Sequence, residues 1–263
     1  MPEGDTLYRI AVRLRPLVVG RRIARAAGDA VVRPDTLAGR TVTDVVARGK
    51  HLLIALDDGT TLHSHLGMTG SWHRYATGEP WQKPVRFATL TLEFEGFVIV
   101  CFSAEVMERL ETRRQELAPT LAGLGPDILS PDFETAPVVK ALYDRATTPL
   151  GVLLLDQRVL AGVGNVYKSE ALFLCGLDPF STPPDHPAIV LTGLVDRTRA
   201  LMRKNLQGTP RRTRFAAHGP RVWVYGRPGE PCLRCGTRVA MRRQGDLGRS
   251  TYWCASCQPP QGR

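Results

Sequence analysis

Four cysteines near the end of the chain carry the plainest chemical signal. In "CLRCGTRVAMRRQGDLGRSTYWCASC", Cys232 and Cys235 form one Cys-x2-Cys pair and Cys254 and Cys257 another, with eighteen residues between the pairs. Two such pairs, each on a tight turn, supply four thiolates to one tetrahedral ion, the ligand set of a structural zinc site. Four sulfur ligands leave no open position for water, so the ion would hold the fold and take no part in chemistry. A stretch of roughly 35 residues cannot build a core alone, and metal would set its fold. The hairpin between the pairs carries Arg238, Arg242, Arg243 and Arg249, which would face phosphate. A generic zinc ribbon with solvated arginines is the plainer alternative.

Two other stretches raise chemical questions that they do not settle alone. The chain opens "MPEGDT", and Pro2 and Glu3 suit the first turn of a helix. Whether Pro2 is instead a catalytic group depends on the rest of the chain. The turn "AGVGN" separates two apolar segments predicted helical, with Asn165 at the N-cap position. Glycines allow close backbone approach, and free N–H groups at a helix start bind phosphate. The same turn also serves as a plain helix–helix corner. His51, His63, His65 and His73 invite a metal reading, but strand alternation explains them and no carboxylate accompanies them at metal spacing. Cys101 and Cys175 lie in apolar runs and read as buried small hydrophobes.

The elements that must position these groups change character along the chain. Residues 5–18 place Leu7, Ile10, Ala11, Leu14 and Leu17 on one face of a helix, with Gly4 or Asp5 as its cap. From 20 to 102 short β-rich runs alternate with the turn signals "DDG" and "EG", which predicts antiparallel hairpins in a β-sandwich or barrel. Residues 104–121 return to helical spacing. "GLGPDILSPDFE" reads as a boundary, and residues 136–206 as mostly helical with a break at "DPFSTPPDHP". A basic loop at 207–227, with Arg211, Arg212, Arg214 and Arg221 among Phe215, Trp223 and Tyr225, leads into the cysteines.

The totals agree with a nucleic-acid partner. The 263 residues contain 35 Lys and Arg against 25 Asp and Glu, a net charge of +10. Such an excess favours a polyanion, because each neutralised phosphate releases counterions. No apolar run approaches the ~18 residues of a membrane span, and the start lacks the basic and apolar regions of a signal peptide. A cytoplasmic, monomeric protein that does not engage membranes is the expectation.

Taken together, five segments in order resemble the formamidopyrimidine-DNA glycosylase/endonuclease VIII family. They are "MPEG", "RGKHLL" at 48–53, "HSHLGMTGSW" at 63–72, "LLDQRVLAGVGNVYKSEALF" at 154–173, and "VYGRPGEPCLRCG" through "YWCASCQ" at 224–258. The resemblance implies an α+β multidomain fold. Its parts would be an N-terminal β-sandwich with flanking helices over 1–125, a helix–two-turn–helix domain over 126–222, and a four-cysteine zinc finger over 223–263 holding one structural Zn2+. It implies a bifunctional enzyme that excises oxidised bases from damaged DNA and cuts the strand in base excision repair.

The resemblance makes Pro2 the nucleophile once Met1 is removed. A terminal proline is a secondary amine with a reference pKa of about 8, so much of it is neutral near working pH. Attack on C1′ of the sugar gives an iminium, an electron sink that acidifies the C2′ proton and permits β-elimination. Glu3 becomes the proton carrier. Lys50 matches the lysine needed for base excision and is expected to begin a strand. Arg249 and Asn165 would bind phosphate, with Arg249 also assisting δ-elimination. Met68 would fill the gap left by the flipped nucleotide. Two departures matter: Thr6 stands where many members carry glutamate, and "CFSAEVMERL" lacks the Arg-Arg-Phe of the formamidopyrimidine branch. The endonuclease VIII branch, and oxidised pyrimidines, are therefore favoured, although "HLGMTG" resembles the other branch. The alternatives are a non-catalytic damaged-DNA-binding protein on this scaffold and an RNA-binding zinc-ribbon protein.

Overall fold

In the computed structural model, which describes residues 2–208 and 210–260, the first helix α1 spans Gly4–Val18. Leu7, Ala11, Leu14 and Val18 recur at three- and four-residue intervals and are all buried, so one stripe faces inward. The helix is capped by Glu3, in extended backbone at φ −124°, and not by Gly4 or Asp5. Pro2 thus precedes the cap and lies outside the first turn.

Eight strands follow in the described part of the N-terminal unit: β1 Arg25–Gly28, β2 Val42–Arg48, β3 His51–Leu56, β4 Thr60–His65, β5 Ser71–Ala76, β6 Ala88–Phe94, β7 Phe97–Phe102 and β8 Val106–Glu111. They form two antiparallel sheets, ordered β1–β6–β7–β5 and β2–β3–β4–β8. Leu52, Ile54 and Leu62 of one sheet and Leu90, Leu92 and Ile99 of the other share a core with the buried stripe of α1. This is a β-sandwich with a helix packed into it.

Strand β8 corrects the helical reading of residues 104–121. Val106–Glu111 is a strand, and only Thr112–Leu117 coils, as a short 3-10 helix. The cause is tertiary. Without β8, strand β4 would have an unpaired edge, and the ladder from His65↔Val106 to Thr60↔Glu111 fills it. The burial of Met107 in the core outweighs the helical preference of its charged neighbours. Residues 112–121 then cover the outer face of this sheet. Thr112 Oγ1 lies 2.8 Å from Thr61 Oγ1, Thr120 Oγ1 donates to Glu108 Oε1 at 2.7 Å, and Leu121 is fully buried.

The chain divides after Gly123 into two compact units. The second contains helices α2 Thr135–Tyr143, α3 Leu150–Leu153, α4 Asn165–Cys175 and α5 Ala188–Arg203. Leu150, Leu153, Leu160, Tyr167, Leu172, Leu194 and Met202 form its core. Gly164 is the N-cap of α4, so Asn165 is its first helical residue and not its cap. Gly176 ends α4 in the left-handed region at φ +69°, which an L side chain adopts at a cost. The chain closes on a two-stranded ribbon, β9 Ala240–Gln244 with β10 Arg249–Trp253. Among the described residues no helix is long and apolar enough to cross a membrane.

Candidate active site and nucleic-acid interface

Glu3 is fully buried, yet its side chain makes no capping hydrogen bond to α1. The helix is instead started by its carbonyl, which accepts from the Thr6 N–H at 2.8 Å and the Leu7 N–H at 3.3 Å. Pro2, half-buried, is the immediate neighbour of Glu3. Met1 lies outside the described residues.

Lys50 does not begin a strand as its sequence context suggests. It occupies the Gly49–Lys50 turn between β2 and β3, where Gly49 takes φ +56°. The pairing of His51 with His65 puts Leu66 and the loop beyond it at the same end of the sheet as Lys50. That loop carries Met68, which is 60% exposed and therefore no core residue. The loop is tightly built around it. A Cβ on Gly70 would meet the Leu66 carbonyl at 2.4 Å, and Gly67 sits at φ +57°. Lys83 Nζ donates to Thr69 O at 3.3 Å and Ser71 Oγ at 2.8 Å, which fastens the loop from its far side.

The histidines adjoin carboxylates that sequence spacing does not reveal. His63 Nδ1 lies 2.7 Å from Glu108 Oε1, across the β4–β8 ladder, and His65 Nδ1 lies 3.5 Å from Glu105 Oε2. His51 Nδ1 lies 2.8 Å from His63 Nε2. Burial holds all three rings below the usual imidazole range, and His51, with His63 and His65 against it, is pushed down to about 3. His73 belongs to a different group, with Tyr75 and Ser71 on the other sheet.

In the second unit, Asn165 is buried at the start of α4. Its side-chain oxygen has no hydrogen-bond partner among the described residues. Amide oxygen and nitrogen are assigned by their partners, so a flip presents an N–H donor at this point, the group a phosphate accepts from. One turn on, the fully buried Lys168 donates from Nζ to Ser250 O at 3.0 Å and Thr251 Oγ1 at 2.8 Å, beside Arg249. Helix α4 and the strand that starts with Arg249 are thereby tied together. Glu170, also fully buried, accepts from the N–H groups of Trp223 (2.7 Å), Val224 (2.8 Å) and Tyr225 (2.8 Å) and from the Thr213 hydroxyl. It pins both ends of the basic loop. Sequence reading missed Lys168 and Glu170. Their only signal is a charge on a helix otherwise built from buried residues.

Lys168→Met leaves the Ser250 carbonyl and Thr251 hydroxyl without their donor, and the expected loss of unfolding stability is about 1–3 kcal/mol. Denaturant unfolding measures it, and an unchanged midpoint would show that Lys168 does not carry this junction.

The four cysteine sulfurs all lie within 4.8 Å of one another. Cys232 and Cys257 Sγ are 3.9 Å apart and Cys235 and Cys254 Sγ 3.4 Å, against the roughly 3.8 Å between sulfurs of a tetrahedral zinc with ~2.3 Å bonds. The set fits one structural zinc held by Cys232, Cys235, Cys254 and Cys257. Hydrogen bonds from Thr237 hold the Cys235 thiol down at about 6, while burial pushes Cys254 and Cys257 up, so an ion must draw the last protons off. Arg242 stacks over Phe180 at 3.8 Å, and Arg238 and Arg243 donate to ribbon carbonyls, yet all three and Arg249 remain exposed. Half-buried Cys175, at the end of α4, is less enclosed than fully buried Cys101.

Comparison with known proteins agrees with this arrangement. Residues 1–115 match the formamidopyrimidine-DNA glycosylase N-terminal domain, residues 124–213 its H2TH domain, and residues 229–260 a zinc finger found in FPG and IleRS. The chain is 41% identical to "Probable endonuclease 8 2" of Streptomyces coelicolor, over 98% of this chain and 94% of that one. It is 38% identical to "DNA-(apurinic or apyrimidinic site) lyase Nei2" of Mycolicibacterium smegmatis, over 98% and 99%. The fold superposes on Lactococcus lactis Fpg in complex with DNA containing an abasic site, with a TM-score of 0.83, 25% identity, and 98% and 99% of the two chains covered. The chain belongs to the formamidopyrimidine-DNA glycosylase/endonuclease VIII family.

Proposed function

We propose that this DNA glycosylase and AP lyase excises oxidised bases, pyrimidines ahead of purines, through an iminium formed on Pro2. The full burial of Glu3 beside Pro2, without a capping role, is the observation that carries the reading. With Met1 removed, the Pro2 nitrogen attacks C1′ as the base departs. Glu3 carries protons to the sugar ring oxygen and then during elimination. Loss of the C2′ proton breaks the 3′ C–O bond, and a second elimination releases the 5′ phosphate. Lys50 serves the excision step, Asn165 and Arg249 bind phosphate, and Met68 fills the gap beside the flipped nucleotide. Its 60% exposure on a braced loop supports that role. The protein acts as a monomer on damaged DNA in the cytoplasm, at the nucleoid.

The pyrimidine preference rests on the sequence at 101–110, which lacks the two further gap-filling residues of the other branch, and on similarity to endonuclease 8 proteins. Single-turnover excision from matched duplexes carrying an oxidised pyrimidine or an oxidised purine tests it. Faster pyrimidine release is expected, and the reverse order overturns the assignment.

A further inference from the structure

We propose that Glu108 and His63 act as positioning residues that fix His51 as its Nδ1–H tautomer, leaving the His51 Nε2 lone pair to orient the Lys50 ammonium for base excision. The inference deepens the reading above and rests on Lys50 serving excision.

The hydrogen bonds dictate the tautomers. A carboxylate only accepts, so Glu108 Oε1, 2.7 Å from His63 Nδ1, requires a proton on that nitrogen. A neutral His63 then has a bare Nε2. That atom lies 2.8 Å from His51 Nδ1, which must therefore donate. His51, neutral as well, is left with its lone pair on Nε2. Thr120 Oγ1 donates to the same Glu108 oxygen at 2.7 Å and holds the carboxylate in place. The order carboxylate, imidazole, imidazole is thus a directional chain from the outer strand β8 to the residue following Lys50. A carboxylate that fixes a tautomer in this way is a common means of orienting an imidazole.

The surroundings keep the chain in one state. His51 and His63 are buried, at 7% and 0% exposure, and charging either ring there is disfavoured. Arg48 and Lys50 both precede His51 in sequence, and their positive charges oppose its protonation. From β4, His63 and His65 face it, with ring centres 4.9 Å and 5.0 Å away. Beyond them, Glu105 pairs with His65 and Glu108 with His63, while Glu116 from the covering segment pairs with Arg48. Lys50 sits in the turn directly before His51, and the His51↔His65 pairing puts both rings at that end of the sheet, where the Lys50 charge also lowers the basicity of His65. One extra proton on His63 Nε2 would reverse the chain. His51 would then have to accept through Nδ1 and carry its proton on Nε2, which replaces the Nε2 lone pair with a donor that cannot hold an ammonium.

Imidazole 15N spectra of protein labelled at histidine read the tautomers without reference to activity. The expected result at pH 7 is two neutral rings, His51 and His63, both protonated at Nδ1, with His51 still neutral at about pH 5.5, a unit below the ordinary imidazole value. An Nε2–H tautomer at either ring, or titration of His51 near 6.5, overturns the chain. Glu108→Gln, with His63→Asn as a second variant, supplies the functional arm. Base excision from an oxidised-pyrimidine duplex should fall about 10- to 100-fold in both, while strand cleavage at a preformed abasic site changes less than about threefold. Equal losses in the two reactions, or no loss in either, overturn the positioning role. A wild-type protein that cleaves abasic DNA but excises no oxidised base refutes the excision role of Lys50 itself, and the spectra still decide the tautomer chain.

Discussion

Strand cleavage at an abasic site falls by about 10²–10⁴-fold when Glu3 is replaced by glutamine, the range of a lost general acid or base. The substitution is nearly isosteric, so the buried volume at this position is kept. The backbone bonds that start α1, from the Thr6 and Leu7 N–H groups to the Glu3 carbonyl, do not depend on the carboxyl. No side-chain cap is lost, because none is made. The start of α1 should therefore survive, and the main effect should appear in the rate of a single turnover at saturating enzyme. A glutamine variant that cleaves within threefold of wild type would show that proton transfer runs through another group.

Removing the zinc produces the second large effect. The ribbon's core is small and borrows Phe173 from α4, with Cys232 and Cys254 themselves among its buried residues beside Val224 and Val239. Free energies of metal binding in such sites, about 10–16 kcal/mol at pH 7, are largely folding free energy. Chelation, or Cys254→Ser, should unfold residues 229–260 while the sandwich core stays intact. Arg238, Arg242, Arg243 and Arg249 then lose their common scaffold. DNA affinity should drop, and the slope of log K against log salt should become shallower by about 0.9 for each phosphate that is no longer neutralised. Anisotropy titrations at three salt concentrations measure both quantities. Unchanged affinity and slope after verified zinc loss would mean that the ribbon does not present arginines to DNA.

What the sequence made legible has local causes. The cysteine tetrad is read from spacing because both pairs sit on turns whose geometry is set within four residues, and the sulfurs do converge. Helix α1 and the hairpins around "DDG" and "EG" follow from periodicity and turn residues. The failures are non-local. Residues 106–111 carry helix-compatible charges, and only the open edge of β4 makes them a strand. The same pairing hides the carboxylate partner of His63 from any local pattern, since Glu108 is 45 positions away in sequence and reaches it only through the register. The anchoring roles of Lys168 and Glu170 depend on residues 213–225 and 250–251, which no pattern within α4 announces. Lys50 falls one residue short of the strand that its context suggests, because the boundary lies at His51, after a turn that Gly49 makes possible.

The measurement that bears most directly on the account is reductive trapping. The protein is incubated with a duplex containing one abasic site, borohydride is added, and the adduct is digested and mapped by mass spectrometry. The account predicts a covalent protein–DNA adduct on the nitrogen of Pro2, formed only by chains that have lost Met1. An adduct mapped to Lys50 or any other amine, or equal trapping by chains that retain Met1, would contradict it.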